Sequence, residues 1–160
     1  MREIILSSGD VCVVDDGDYE FVNQWRWKPI KSKANTYVGR STRGKNGKKW
    51  GCILMHRLLT DAPAGLQVDH IDGDQMNNCR SNLRLCTQSQ NMANGPGWKT
   101  KDSKYRGVSR NGGHWIARAK KDGETYRFGT YRTQEEAARA YDTGALELHG
   151  EFARLNFPAT

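Results

Sequence analysis

Apolar residues fall in short runs divided by polar turns through most of the chain. Residues 4–6 and 11–14 are β-type runs on either side of the turn signal Ser7-Ser8-Gly9-Asp10. Asp15-Asp16-Gly17-Asp18 lacks the spaced ligands and closing glutamate of a calcium loop, so it reads as a turn or helix cap. Residues 19–25 form a short helix or strand, and Trp25 and Trp27 are expected in a core. A β-hairpin is expected over 31–49, marked by Thr36-Tyr37-Val38 and the turn Gly44-Lys45-Asn46-Gly47. Residues 50–55 make a further strand. His56-Arg57-Leu58-Leu59 then opens a short helix that Asp61-Ala62-Pro63-Ala64-Gly65 stops.

Two more apolar runs, 66–71 and 82–86, flank a polar loop over 72–81, and Thr87 opens a short helix carrying Asn91 and Asn94. Gly95-Pro96-Gly97 cannot continue that helix. A linker is therefore expected at 98–103, between a unit over 1–97 (a β-rich extension over 1–55 and a core over 56–97) and a unit over 104–160. In the second unit, strands are expected over 105–110, 114–120 and 125–131. Alternation along 114–120 puts Trp115, Ala117 and Ala119 on one face and His114, Ile116, Arg118 and Lys120 on the other. Thr133-Gln134-Glu135-Glu136 is a capping box for a helix reaching about Leu148. One helix covers one face of a three-stranded sheet. The open face is expected to carry Arg106, Arg110, Arg118, Lys120 and Arg127, with His114 beside them. The fold class is α+β.

With 160 residues and 36% hydrophobic content, small cores are expected rather than one large one. The net charge of +7 suits a polyanion, nucleic acid before membrane. It is unevenly placed: residues 1–55 hold ten basic and six acidic side chains, 56–103 five of each, and 104–160 ten and seven. A neutral middle flanked by basic arms suits a site that keeps carboxylates for a metal while its flanks hold phosphates. Arg40, Arg43, Lys45, Lys48 and Lys49 on the N-terminal hairpin would then track a DNA backbone; a solvated loop is the other reading. Cys12, Cys52, Cys79 and Cys86 lack Cys-x-x-Cys spacing and are expected as free thiols in a reducing cytosol. The N-terminus lacks the apolar length of a signal peptide, and no run approaches membrane-spanning length, so an intracellular, cytoplasmic protein is expected.

The chemistry concentrates at Val68-Asp69-His70-Ile71-Asp72-Gly73-Asp74. A hydrolytic nuclease needs a base for its water and a cation to stabilise charge on the phosphate and leaving oxygen. Asp69 offers an oxygen to a hard cation, and His70 is the natural base at neutral pH. Neighbours on a strand point opposite ways, so a strand end or bulge is needed for both to serve one site. Asn91 lies one helical turn past the Thr87 cap, where its amide oxygen can aim back at Asp69. Asn82 can tie the polar loop down and orient the histidine. His56, Arg84 and Asn94 are expected around these residues rather than at the chemistry.

Val68-Asp69-His70-Ile71-Asp72-Gly73-Asp74, Asn77-Asn78, Asn82-Leu83-Arg84-Leu85 and Gln90-Asn91-x-x-Asn94 resemble the HNH motif (ββα-metal fold) of phage and intron homing endonucleases. Val13-Val14-Asp15-Asp16-x-Asp18-Tyr19-Glu20 and Met55-His56-Arg57-Leu58 are similar to the lead-in of that group. The resemblance implies His70 as general base, Asp69 and Asn91 as ligands of one Mg²⁺ or Mn²⁺ ion, and Asn82 as the structural asparagine. Many members have histidine at the position of Asn91, and the zinc knuckles of some members are absent, so no structural zinc is expected. Tyr105-Arg106-Gly107-Val108, Trp115-x-Ala117, the stretch from Phe128-Gly129-Thr130-Tyr131 to Ala140-Tyr141-Asp142, and Leu155-Asn156-Phe157-Pro158 resemble the APETALA or ethylene-response-factor DNA-binding domain. That fold lays its sheet in the major groove. Ser109 stands where the family usually has arginine, so its base sequence does not carry over. Together these imply a site-specific, homing-type endonuclease acting on double-stranded DNA and leaving a 3′-hydroxyl and a 5′-phosphate, as monomer or homodimer. A DNA-binding regulator with an inactive nuclease fold, and a low-specificity restriction or degradative nuclease, are the alternatives.

Overall fold

The computed structural model describes residues 1–32, 35–43, 50–95 and 102–158, without the side chains of Arg43 and Trp50. It divides into two compact units, Met1–Cys86 and Thr87–Thr160.

In the first unit, β1 (Arg2–Ile5) pairs antiparallel with β2 (Val11–Val14). Residues 15–18 begin a helix: α1 (Asp16–Asn23) follows Asp15 at its cap position. Trp27 is buried and donates its indole N–H to the Val22 carbonyl at 2.8 Å, which fixes the chain leaving α1. The expected hairpin is a three-stranded sheet of β3 (Lys28–Lys31), β4 (Thr36–Arg43) and β5 (Trp50–Leu54), in the order β3-β4-β5. Its expected basic tip at 44–49 lies outside the described residues. α2 (Met55–Leu59) follows, then β6 (Gln67–His70) and β7 (Leu83–Cys86), an antiparallel pair. Leu6, Val14, Val22, Val38, Met55 and Val68 meet in one core, drawn from every part of this unit. Burying these side chains stabilises by about 1.5–3 kcal/mol each.

The second unit opens with α3 (Gln88–Asn94), where Thr87 and Gln90 form a capping box. Its sheet has the order β10-β9-β8, from β8 (Val108–Asn111), β9 (His114–Lys121) and β10 (Glu124–Tyr131). The box of Thr133 and Glu136 starts α4 (Gln134–His149). Ala117, Ala119, Ala137, Ala138 and Ala145 form the contact of helix and sheet, and their small side chains permit a close approach. Two glycines complete that fit. A Cβ on Gly107, at φ +68°, would lie 2.0 Å from the Tyr141 ring, and one on Gly144 would lie 2.4 Å from Phe128. A bulge between Arg127 and Gly129 brings Phe128 to this side, 6.3 Å from Tyr141 between ring centroids. The Asp142 carboxylate accepts from the backbone N–H of Asn156 and Phe157, both at 2.8 Å, which pins the tail against α4. The expected linker lies at 98–103, of which 98–101 are outside the described residues; the compact units divide before Thr87.

Candidate active site and nucleic-acid interface

His70 ends β6, and the chain turns at once: the Gly73 N–H donates to the His70 carbonyl at 2.9 Å. The polar loop after it is built on Asp72 and Asn82. Asn82 Oδ1 accepts from the Asp72 N–H at 3.0 Å, while its Nδ2 donates to Asp72 Oδ1 and to the Asn77 carbonyl, both at 2.9 Å. Asp72 also accepts from the Asp74 N–H and the Asn77 amide, each at 2.8 Å. These donors hold the Asp72 carboxyl below its usual range against the opposing effect of burial. Asn82 thus holds both ends of the loop, as its paired donor and acceptor groups permit. The N-terminal region braces the far end. Arg80 donates a fork to Asp18 at 2.7 and 2.8 Å, and its N–H meets Asp15 at 2.7 Å.

Asp69 and His70 are consecutive strand residues with different partners. Asp69 lies opposite Arg84 across the β6–β7 ribbon. Arg84 donates through Nε at 2.9 Å and Nη2 at 2.7 Å to the same oxygen, Oδ2. Only 5% of the Asp69 side chain and 13% of the Arg84 side chain are exposed. His70 meets aromatic rings instead. His56 stands edge-on to it at 5.1 Å between centroids, and Tyr37 lies 5.2 Å from His56 and 6.4 Å from His70. Burial pushes His70 below the usual histidine range, opposed by Asn78 and by the Asp72, Asp69 and Asp74 carboxylates. Burial, helped by the charges of His70 and Arg57, takes His56 down to about 3. The Nδ1 of His56 is buried and lacks a hydrogen-bond partner among the described residues. The sequence assigns no role at the site to Tyr37, Asn78 or the Asp18–Arg80 brace. Only the register of β6 with β7, counted residue by residue, would have paired Arg84 with Asp69.

Among the described residues no three His, Cys, Asp or Glu side chains cluster as a metal cage. Asp69 nevertheless fits a hard divalent ion. It already holds a cation, the Arg84 guanidinium, at 2.7 Å, and Mg²⁺ is commonly held by one or two carboxylates while it keeps several waters. Asn91 and Asn94 lie on α3, in the second unit.

The open face of the second unit differs from expectation at two residues. Cross-strand partners share a face. Val108 pairs with the buried Ala117, so Arg110, which pairs with Trp115, belongs to the helix side, where its guanidinium lies 6.0 Å from the Trp115 ring. Arg106 is turned inward as well. Its Nε donates to the Tyr141 hydroxyl at 2.7 Å, and its other nitrogens donate to the carbonyls of Met92, Ala93 and Gly95. Carbonyls at a helix end lack intrahelical partners and attract a cation, so Arg106 serves α3 rather than the open face. The open face keeps exposed His114, Arg118, Lys120 and Arg127. Among the described residues none of these pairs with a carboxylate. In the first unit, Arg40 on β4 stacks over Trp25 at 4.2 Å. Lys45, Lys48 and Lys49 lie outside the described residues, as does the Arg43 side chain.

No helix among the described residues is long and apolar enough to cross a membrane. Residues 61–93 match the family model for HNH endonucleases. The uncharacterized HNH endonuclease L560 of Acanthamoeba polyphaga mimivirus is 35% identical over 147 residues, 88% of this chain and 75% of that protein. Protein 3.8 of Escherichia phage T7 is 34% identical over 95 residues, 58% of this chain and 78% of that protein. The ethylene-responsive transcription factor ERF010 of Arabidopsis thaliana is 44% identical over 66 residues, 39% of this chain and 36% of that protein.

Proposed function

Because the chain belongs to the HNH endonuclease family and carries an ethylene-response-factor-like domain, we propose that it hydrolyses a phosphodiester of double-stranded DNA at a specific site, as a homing-type endonuclease. The observation that carries this reading is the buried Asp69-His70 pair at the end of β6, with Asn82 fastening the turn that follows. His70 is the general base. Burial keeps it neutral and able to take a proton from water, and the carboxylates of Asp72, Asp69 and Asp74 favour the charged ring that results. Asn82 fixes the turn, so His70 need not be ordered at the moment of reaction. Asp69 is one metal ligand. The resemblance makes Asn91 another, and the family-model match runs through it. A bound Mg²⁺ or Mn²⁺ ion supplies the positive charge that the phosphate and leaving oxygen need. His114, Arg118, Lys120 and Arg127 on the open face hold the duplex backbone, and the products are a 3′-hydroxyl and a 5′-phosphate.

The test is a supercoiled plasmid carrying a site selected from a random library, incubated with Mg²⁺ or with a chelator. Nicked or linear product with Mg²⁺ alone is expected. Supercoiled DNA surviving both conditions, with binding intact, would favour a regulator with an inactive nuclease fold. Cleavage at scattered positions would favour a degradative enzyme.

A further inference from the structure

We propose that Arg84 is a built-in counterion for Asp69, which a divalent ion must outcompete in order to bind. The inference rests on the reading of Asp69 as a metal ligand. Arg84 and Asp69 are direct partners across β6 and β7, so the ribbon itself sets their separation. Both Nε and Nη2 of Arg84 converge on Oδ2, at 2.9 and 2.7 Å, with 13% and 5% of the two side chains exposed. A carboxylate this deep is stable only with a cation beside it. Arg84 supplies that cation while no ion is bound.

A divalent ion on Asp69 meets one of two situations. It takes over Oδ2 and displaces the guanidinium, or it shares the carboxylate with a positive charge a few ångströms away. Either way the guanidinium and the ion oppose each other. Such coupling is reciprocal: Arg84 weakens the ion by the factor by which the ion loosens Arg84. The arginine therefore keeps Asp69 ordered in the ion-free protein and sets the ion concentration at which the site fills.

The experiment titrates the full-length protein with Mn²⁺, following free ion by its paramagnetic resonance and stability by thermal melting, with no DNA present. Arg84→Met keeps the length and apolar stem without the charge. It is expected to melt below wild type without ion, to bind Mn²⁺ about tenfold more tightly or better, and to gain more in melting temperature from the ion than wild type does. Arg84→Lys keeps a charge without the fork and is expected in between; it carries the test if Arg84→Met does not fold. Asp69→Asn separates the proposal from the reading beneath it. Mn²⁺ bound equally by wild type and Asp69→Asn overturns the metal reading and the proposal with it. Mn²⁺ binding lost in Asp69→Asn, yet no tighter in the Arg84 variants than in wild type, overturns the proposal alone.

Discussion

The two units treat charge in opposite ways. In the first, Asp69, His70, Asn82 and His56 are all less than 10% exposed, and Asp69 and Asn82 are held by named partners at hydrogen-bond distance. In the second, Arg118, Lys120 and Arg127 stand in solvent on a sheet face, with no carboxylate against them among the described residues. A group that performs chemistry must be held at one position and one protonation state, which burial and hydrogen bonds provide. A group that binds a polyanion must be free to exchange water and counterions for phosphate. The same contrast sorts the arginines. Arg84, Arg80, Arg40 and Arg106 are engaged by carboxylates, rings or carbonyls and serve the fold. Arg118 and Arg127 stand exposed on the open face, with no carboxylate partner among the described residues.

Changes to either unit should therefore fail differently. Among changes at residues that support the site, the largest effect is expected from Asn82→Ala, which removes three hydrogen bonds at the turn. Single-turnover cleavage should fall by about 10²-fold and stability by about 2–3 kcal/mol, with DNA affinity little changed. A rate near wild type in a folded variant would remove the loop from the mechanism. The combined change Arg118→Gln, Lys120→Gln and Arg127→Gln should do the reverse. The slope of log affinity against log salt should shrink by about 2–3, and affinity at physiological salt should drop by about 10²-fold. The cleavage rate on saturating DNA should hold. An unchanged slope would take the open face out of DNA binding.

The smallest expected effect lies in pH. Unfolded histidine takes up its proton near pH 6.5, whereas His56 in the fold waits until about 3. The unfolded state binds more protons between those limits, so the stability tied to neutral His56 is complete above pH 6.5 and is lost as pH falls. From pH 6.5 to 5 that loss is about 2 kcal/mol, measurable by denaturant unfolding. His56→Phe should flatten the dependence. An equally steep curve in that variant would place the cause elsewhere.

Much of the second unit was legible because its signals are local. The Thr87 cap, the Thr133 capping box and the alternation from His114 to Lys120 depend only on neighbours in sequence. Charge alone puts Arg106 and Arg110 on the open face, but Arg110 lies two residues past the buried Val108 on the same strand and so shares its side, while Arg106 precedes the strand and is drawn inward by Tyr141 and the carbonyls at the end of α3. In the first unit the Asp69-His70 pair and Asn82 stand out by residue type. Their surroundings do not, because they come from far away in the chain. Tyr37 reaches the histidines from β4, and Asp18 reaches Arg80 across 62 residues. Arg40 lies over the ring of Trp25, a contact that charge alone does not reveal.

The central claim is that the first unit cleaves through His70 what the second unit holds. Its most direct test is plasmid cleavage with Mg²⁺ by His70→Ala, beside a binding curve for the same variant on the same DNA. Cleavage about 10²–10⁴-fold slower than wild type, with affinity within a few-fold, is the expected result. Cleavage at the wild-type rate would contradict it.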